Sequence, residues 1–188
     1  MIPYTLERRA DTGVTNVTLG IWLFLASEVM LFGALFSAYT LLRVAAPAWP
    51  IGRSVLSLPL GGVNTVLLFA MTWMAWRTRS RQGAGAQRAL VASSLFGLAF
   101  LALKLVEYHG EIQRGLLPSV NTFLAMYFTL TGLHALHVAS GLIANAWVLT
   151  GARRVGDAMT AGRFRAVSLY WVFVDAVWLI IFALFYLS

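Results

Sequence analysis

Five long apolar stretches separated by short polar connectors set the pattern of this chain. They run over about Val17–Leu42, Leu56–Trp76, Ala89–His109, Asn121–Thr150 and Ala166–Leu187. Each reaches the roughly 20 residues that a helix needs to cross the hydrocarbon core of a bilayer. The third is the weakest, because Lys104 and Glu107 interrupt its last two turns. Residues 1–16 are polar and are expected to form a short N-terminal segment, with residues 17–188 as one transmembrane domain. The first stretch is too long for a signal-peptide core, and no small-residue cleavage site ends it early, so it is expected to be retained. No repeat or soluble domain is left over. The pattern predicts an all-α integral membrane bundle of five transmembrane helices.

Composition agrees with the pattern. Of 188 residues, 60% are hydrophobic and 11% charged, against about a quarter charged in soluble domains. There is no cysteine, which excludes disulfides, thiolate metal sites and a cysteine nucleophile. The net charge of +7 matters less than its placement. Arg8, Arg9, Arg77, Arg79, Arg81, Arg88, Arg153, Arg154, Arg163 and Arg165 fall on one side of the predicted bundle, and only Arg43, Arg53 and Arg114 on the other. Cytoplasmic loops carry the arginine excess, so the N-terminus is expected in the cytoplasm and the C-terminus outside. Topology and anionic headgroups account for the basic charge without nucleic acid.

Ionisable residues at membrane depth are candidates for function. Here they are Glu28, Lys104, Glu107, His109, His134, His137 and Asp175. Glu28, His137 and Asp175 lie about eleven, thirteen and ten residues from the inner ends of their spans. At ~1.5 Å per residue that is roughly 15–20 Å in, near the midplane. Glu28 stands beside a sevenfold series of small residues, Gly20, Ser27 and Ala34, which would let a neighbouring backbone approach, so it is expected to point into the bundle. On the fourth span Thr131, His134, Gly141 and Asn145 share a stripe that His137 adjoins. The fifth puts Ser168, Trp171, Asp175, Trp178 and Phe182 on one face. A buried polar cluster of Glu28, His134, His137 and Asp175 is therefore expected, structural or proton-related in role, with Glu28 bonded to His137. Lys104 and Glu107, three residues apart near the outer end, are expected to form a local ion pair whose lysine snorkels to the interface. His134 and His137 are one turn apart, but a metal site needs further ligands. With no thiolates and no Glu-x-x-His pair on a second helix, no metal site is expected. No catalytic residue is expected either, since neither a Ser–His–acid order nor a phosphate-binding glycine loop occurs.

Four motifs carry a resemblance to a known family. "LASEVMLFGALFSAY" (Leu25–Tyr39), "LKLVEY" (Leu103–Tyr108), "TGLHALHVASG" (Thr131–Gly141) and "YWVFVDAVWLIIF" (Tyr170–Phe182) resemble subunit III of the haem–copper oxidases, in that family's order and over essentially the whole chain from Val17. The resemblance implies a non-catalytic subunit of a proton-pumping terminal oxidase in the cell inner (plasma) membrane. Such a subunit packs against the catalytic subunit I and the other oxidase subunits, supports proton uptake and sustained turnover, and binds no cofactor, the haem and copper belonging to the catalytic subunit. The family's larger members have seven helices, with phospholipids in a cleft between the first two and the other five. This chain starts at the third of those and looks like the five-helix version; membrane phospholipids are expected partners, and the cleft would require partner helices to complete it. Glu28 matches the family's intramembrane glutamate, His134 and His137 its histidine pair, and Lys104, Glu107 and Tyr108 its Lys-x-x-Glu-Tyr. One departure is plain: Val172 stands where the family usually has histidine. A cytochrome c oxidase is the leading expectation. A quinol oxidase and the accessory subunit of nitric oxide reductase are related alternatives. A small independent transporter is the alternative of another class, and it would be expected to have broken helices.

Overall fold

A computed structural model of the chain describes residues 13–81, 83–151 and 157–187, without the side chains of 53 and 157–160. Arg8, Arg9, Arg153 and Arg154 lie outside the described residues. The described elements are helical: α1 (Asn16–Ala45), a single turn α2 (Gly52–Val55), α3 (Leu58–Arg77) continued by a 3-10 turn (Thr78–Ser80), α4 (Gly83–Gln113), α5 (Thr122–Gly151) and α6 (Asp157–Phe185). Five of them are long and apolar enough to cross a membrane, which establishes a multi-pass membrane protein. α1, α4 and α5 run 30 or 31 residues, about 45 Å of helix against a core of about 30 Å.

Local chemistry fixes the helix ends. Thr15 caps α1, its Oγ1 accepting from the Thr18 amide at 3.3 Å, and α1 stops before Pro47, which disfavours helical backbone in the residue it follows. Pro59 occupies the first turn of α3, where its missing N–H costs nothing. Gly115 closes α4 with φ +74°, a left-handed conformation that glycine adopts freely, while the Leu116 amide returns to the Glu111 carbonyl at 3.0 Å. Asn121 caps α5 by accepting from the Leu124 amide at 2.8 Å. The third span therefore begins and ends beyond the Ala89–His109 expected from hydropathy. The surplus turns are alanine- and glycine-rich at one end and, at the other, carry a glutamate that the interior accommodates.

Packing is unequal. α3, α4, α5 and α6 form a closed four-helix cycle, each touching the next, and α1 lies outside it, chiefly against α6 and α5. α6 is the most enclosed of the five spans and α1 the least. α1 inserts Leu25, Phe32 and Tyr39, one residue in seven, and the Tyr39 hydroxyl donates to the Leu184 carbonyl at 2.9 Å. The small residues Gly20, Ser27 and Ala34 face outward instead. The expected small-residue seam of the first span is therefore not a packing face within this chain. A parallel sevenfold stripe of large side chains wins, because it fills the space against α6. Close backbone approach occurs elsewhere. A Cβ on Gly141 of α5 would fall 2.5 Å from the Trp171 ring and 2.7 Å from that of Tyr170.

Candidate functional site

The interior polar residues divide into separate sites on different sets of helices. At the α1–α5 boundary, Glu28 Oε2 lies 2.8 Å from His137 Nε2, with both side chains mostly enclosed. Nδ1 of the same ring lies 2.8 Å from the Leu133 carbonyl oxygen. A carbonyl only accepts, so Nδ1 carries a hydrogen. If Nε2 carries one as well, an imidazolium faces a carboxylate. If it does not, the hydrogen of the contact belongs to Glu28. In both cases the two groups hold one proton between them and their charges sum to zero, the arrangement that an apolar surround favours. Tyr170 joins α6 to this place by donating to the His137 carbonyl at 2.7 Å.

His134 and Asp175 do not join Glu28 and His137, so the expected four-residue cluster is not assembled. One turn along a helix rotates a side chain by roughly 60° out of register with its i+3 neighbour, as follows from 3.6 residues per turn, and His134 accordingly faces the four-helix interior. Its ring is fully buried between Phe100 and Trp178, with centroids at 5.7 and 5.1 Å. Neither of its nitrogens has a hydrogen-bond partner among the described residues, and neither oxygen of Asp175 has one. The Thr72 hydroxyl donates to the Trp171 carbonyl at 3.2 Å. Val172 is 40% exposed on the outside of the bundle.

The second site is larger than the expected ion pair. Lys104 Nζ donates to Glu107 Oε2 at 2.9 Å, to the Tyr127 hydroxyl at 2.8 Å and to the Tyr186 hydroxyl at 2.8 Å. All three ammonium hydrogens are used. Each tyrosine passes the chain on, Tyr186 donating to Glu107 Oε1 at 2.6 Å and Tyr127 to Glu111 Oε1 at 2.9 Å. Only Glu111 Oε2 is left without a partner among the described residues. Lys104 and Glu107 are each 2% exposed, so the lysine does not snorkel to the interface. Its hydrogens are satisfied inside, which removes the drive toward water. Tyr108 flanks the network, donating to Thr131 Oγ1 at 2.6 Å, whose own hydrogen goes to the Tyr127 carbonyl. His109, in contrast, is exposed and pairs with Gln113.

Sequence reasoning missed Glu111, Tyr127 and Tyr186. The signal was present: Lys104, Glu107 and Glu111 follow i, i+3, i+7 spacing, one helical face, but ending the span at His109 left Glu111 in a connector. It also missed the partners of Asn145, whose side chain joins three helices. Asn145 Nδ2 donates to Ser94 Oγ at 3.0 Å, and Oδ1 accepts from Trp171 Nε1 at 3.1 Å. Trp178 Nε1 similarly donates to Thr65 Oγ1 at 2.9 Å. Among the described residues no group of three or more His, Cys, Asp and Glu side chains is placed to hold a metal ion.

Comparison with known proteins gives this architecture a context. The family model described as cytochrome c oxidase subunit III matches residues 7–188. Cytochrome c oxidase subunit 3 of Synechocystis is 37% identical over 175 residues, 89% of this chain and 74% of that protein. Cytochrome bo(3) ubiquinol oxidase subunit 3 of Pseudomonas putida is 35% identical over 182 residues, 94% of this chain and 87% of that protein. Heme-copper oxidase subunit I+III of Aeropyrum pernix is 33% identical over 183 residues, 89% of this chain but 22% of that longer protein. With the match spanning all five helices, the chain belongs to the cytochrome c oxidase subunit III family and is a subunit of an oxygen-reducing haem–copper terminal oxidase.

Proposed function

We propose that this chain is the non-catalytic third subunit of a cytochrome c oxidase in the bacterial plasma membrane, bracing the catalytic subunit and sustaining its turnover and proton supply. The observation that carries the reading is the use of the interior polar groups. Lys104, Glu107, Glu111, Tyr127 and Tyr186 bond to one another, as do Glu28 and His137. Groups spent in this way fix helix positions, the role of a scaffold. The haem and copper belong to the partner subunit, and the fused name of the Aeropyrum relative, subunit I+III, supports adjacency to subunit I. The five spans are unbroken helices, which argues against the transporter alternative. A quinol oxidase is the second reading, favoured by the Pseudomonas relative, whose name specifies ubiquinol.

Removing the chain from the complex tests the proposal. Single-turnover oxygen reduction by the remaining subunits should proceed at an unchanged rate, while activity over many turnovers should decay faster than in the complete complex. Loss of the first turnover in a correctly assembled remainder would refute the non-catalytic role. Reduction by added cytochrome c, set against reduction by quinol, decides between the two donors.

A further inference from the structure

An open groove of about 640 Å³ runs along α4 from Ala84 to Leu95, walled also by Val91, Ala92 and Leu149 of α5, with Arg88 near its top. The short side chains of Ala84 and Ala92, two turns apart and more, leave the depression, and Val91, Leu95 and Leu149 line it with hydrocarbon. The eleven residue steps from Ala84 to Leu95 cover ~16 Å, close to half of a ~30 Å bilayer core. The groove therefore has the length of one leaflet. It begins at the start of α4, beside the connector that carries the basic residues.

Charge is arranged along it in the order of a phospholipid. Arg88 is exposed and, among the described residues, has no hydrogen-bond or ion-pair partner. Arg79, by comparison, is held by Ser168 at 2.6 Å and stacked on Trp76 at 3.9 Å. Arg77 and Arg81 are exposed nearby, and no Asp or Glu occurs from residue 77 to residue 106. The free amides of the first turn of α4 add partial positive charge. A cationic rim above an apolar channel selects a molecule with an anionic head and a hydrocarbon tail.

We propose that this groove binds one anionic glycerophospholipid, with its phosphate at Arg88 and an acyl chain along Val91, Ala92, Leu95 and Leu149. A local excess of positive charge, with no carboxylate between residues 77 and 106, distinguishes anionic from zwitterionic headgroups. The site belongs to α4 and α5 and makes no use of Glu28 or His137. It requires only that the chain lie in a bilayer, whichever electron donor its oxidase uses.

Photolabelling tests it in the complete oxidase reconstituted into phosphatidylcholine vesicles. The vesicles contain a small fraction of either phosphatidylglycerol or phosphatidylcholine with a diazirine in one acyl chain. Peptides covering 88–95 should be labelled about fivefold more by the phosphatidylglycerol probe, the preference that one basic side chain near the surface supplies. Arg88→Gln should bring the two probes to equality there. Ala92→Trp, which fills the groove, should remove labelling of this segment by both probes and leave that of the exposed α1 residue Met30 unchanged. Equal labelling of the unaltered protein by the two probes, meaning ordinary annular contact, would overturn the proposal. So would a preference that survives Arg88→Gln, or a segment that neither probe reaches because another chain covers the groove. If Ala92→Trp does not assemble, the Arg88→Gln comparison decides alone.

Discussion

Glu28 and His137 share a single proton across a 2.8 Å contact, because the Leu133 carbonyl claims the other ring nitrogen as a donor. That relationship fixes which substitutions the place tolerates. Glutamine at position 28 can donate to Nε2 and keep the bond with a neutral ring. Hydrogen bonds within membranes average about 0.6 kcal/mol, so Glu28→Gln should cost less than ~1 kcal/mol. Glu28→Leu strands the ring nitrogen, a loss of about 1–3 kcal/mol for an unsatisfied polar group. Thermal unfolding of the complex in mild detergent should rank the unaltered protein and Glu28→Gln together, with Glu28→Leu clearly lower. The reverse order would remove the paired-proton account.

Two glycines offer a paired test of packing. Gly141 sits under the rings of Trp171 and Tyr170, which an added Cβ would meet at 2.5–2.7 Å. Those rings are also held by hydrogen bonds to Asn145 and to the His137 carbonyl, so they cannot easily retreat. Gly33 of α1 has nothing within 4 Å of the same added atom. Overpacking costs typically 1–3 kcal/mol, whereas Gly→Ala in an open helix position gains up to about 1 kcal/mol. Gly141→Ala should lower the unfolding temperature and Gly33→Ala should hold or raise it. Equal effects would show that α5 and α6 are not in close contact there.

How much of this was legible in the sequence depends on what decides each feature. The five spans were legible, since apolar length is a one-dimensional property. The closeness of Glu28 and His137 was also accessible, through depth along two helices. The face of α1 was not. Leu25, Phe32 and Tyr39 have the same sevenfold spacing as Gly20, Ser27 and Ala34, and both stripes are apolar or small, so only the shape of α6 chooses between them. In a bilayer the outward face is apolar too, which erases the amphipathic signal that marks the inner face of a soluble helix. The network around Lys104 was hidden for another reason. Its tyrosines come from the start of α5 and from the residue just after α6, and no spacing rule links positions 104, 127 and 186.

The sidedness of the bundle rests on arginine placement, and a fusion can check it. Ten arginines lie on the N-terminal side of the predicted spans and three on the other, and the bias follows the cytoplasmic side. With five spans, the two ends of the chain lie on opposite sides. A periplasm-dependent reporter such as alkaline phosphatase should be active when joined after Ser188 and inactive when inserted in the connector at Gln82. Activity at the connector and none at the C-terminus would invert the orientation without changing the number of spans.

Lys104 separates an interfacial anchor from an interior bond hub. Were the lysine an interfacial anchor, its replacement by an apolar residue of similar length would cost little, because surface ion pairs contribute about 0–1 kcal/mol. The structure buries it instead, with Glu107 at 2.9 Å and two tyrosine hydroxyls at 2.8 Å. Lys104→Met would leave the Glu107 carboxylate without its cation and the two hydroxyl oxygens without their donor. Removing one member of a buried pair costs about 3–5 kcal/mol, enough to prevent assembly of a marginally stable subunit. Lys104→Met with Glu107→Gln removes both charges together, and Tyr186 can still donate to the new amide oxygen. Replacing a whole buried pair is often close to neutral, so the double variant should recover much of what the single variant loses. The yield of assembled oxidase, purified through this chain, should therefore fall sharply for Lys104→Met and rise again for the double variant. A single variant that assembles normally would place the lysine at the interface after all. A double variant no better than the single one would show that the tyrosine bonds, not the charge pair, hold the ends of α4, α5 and α6 together.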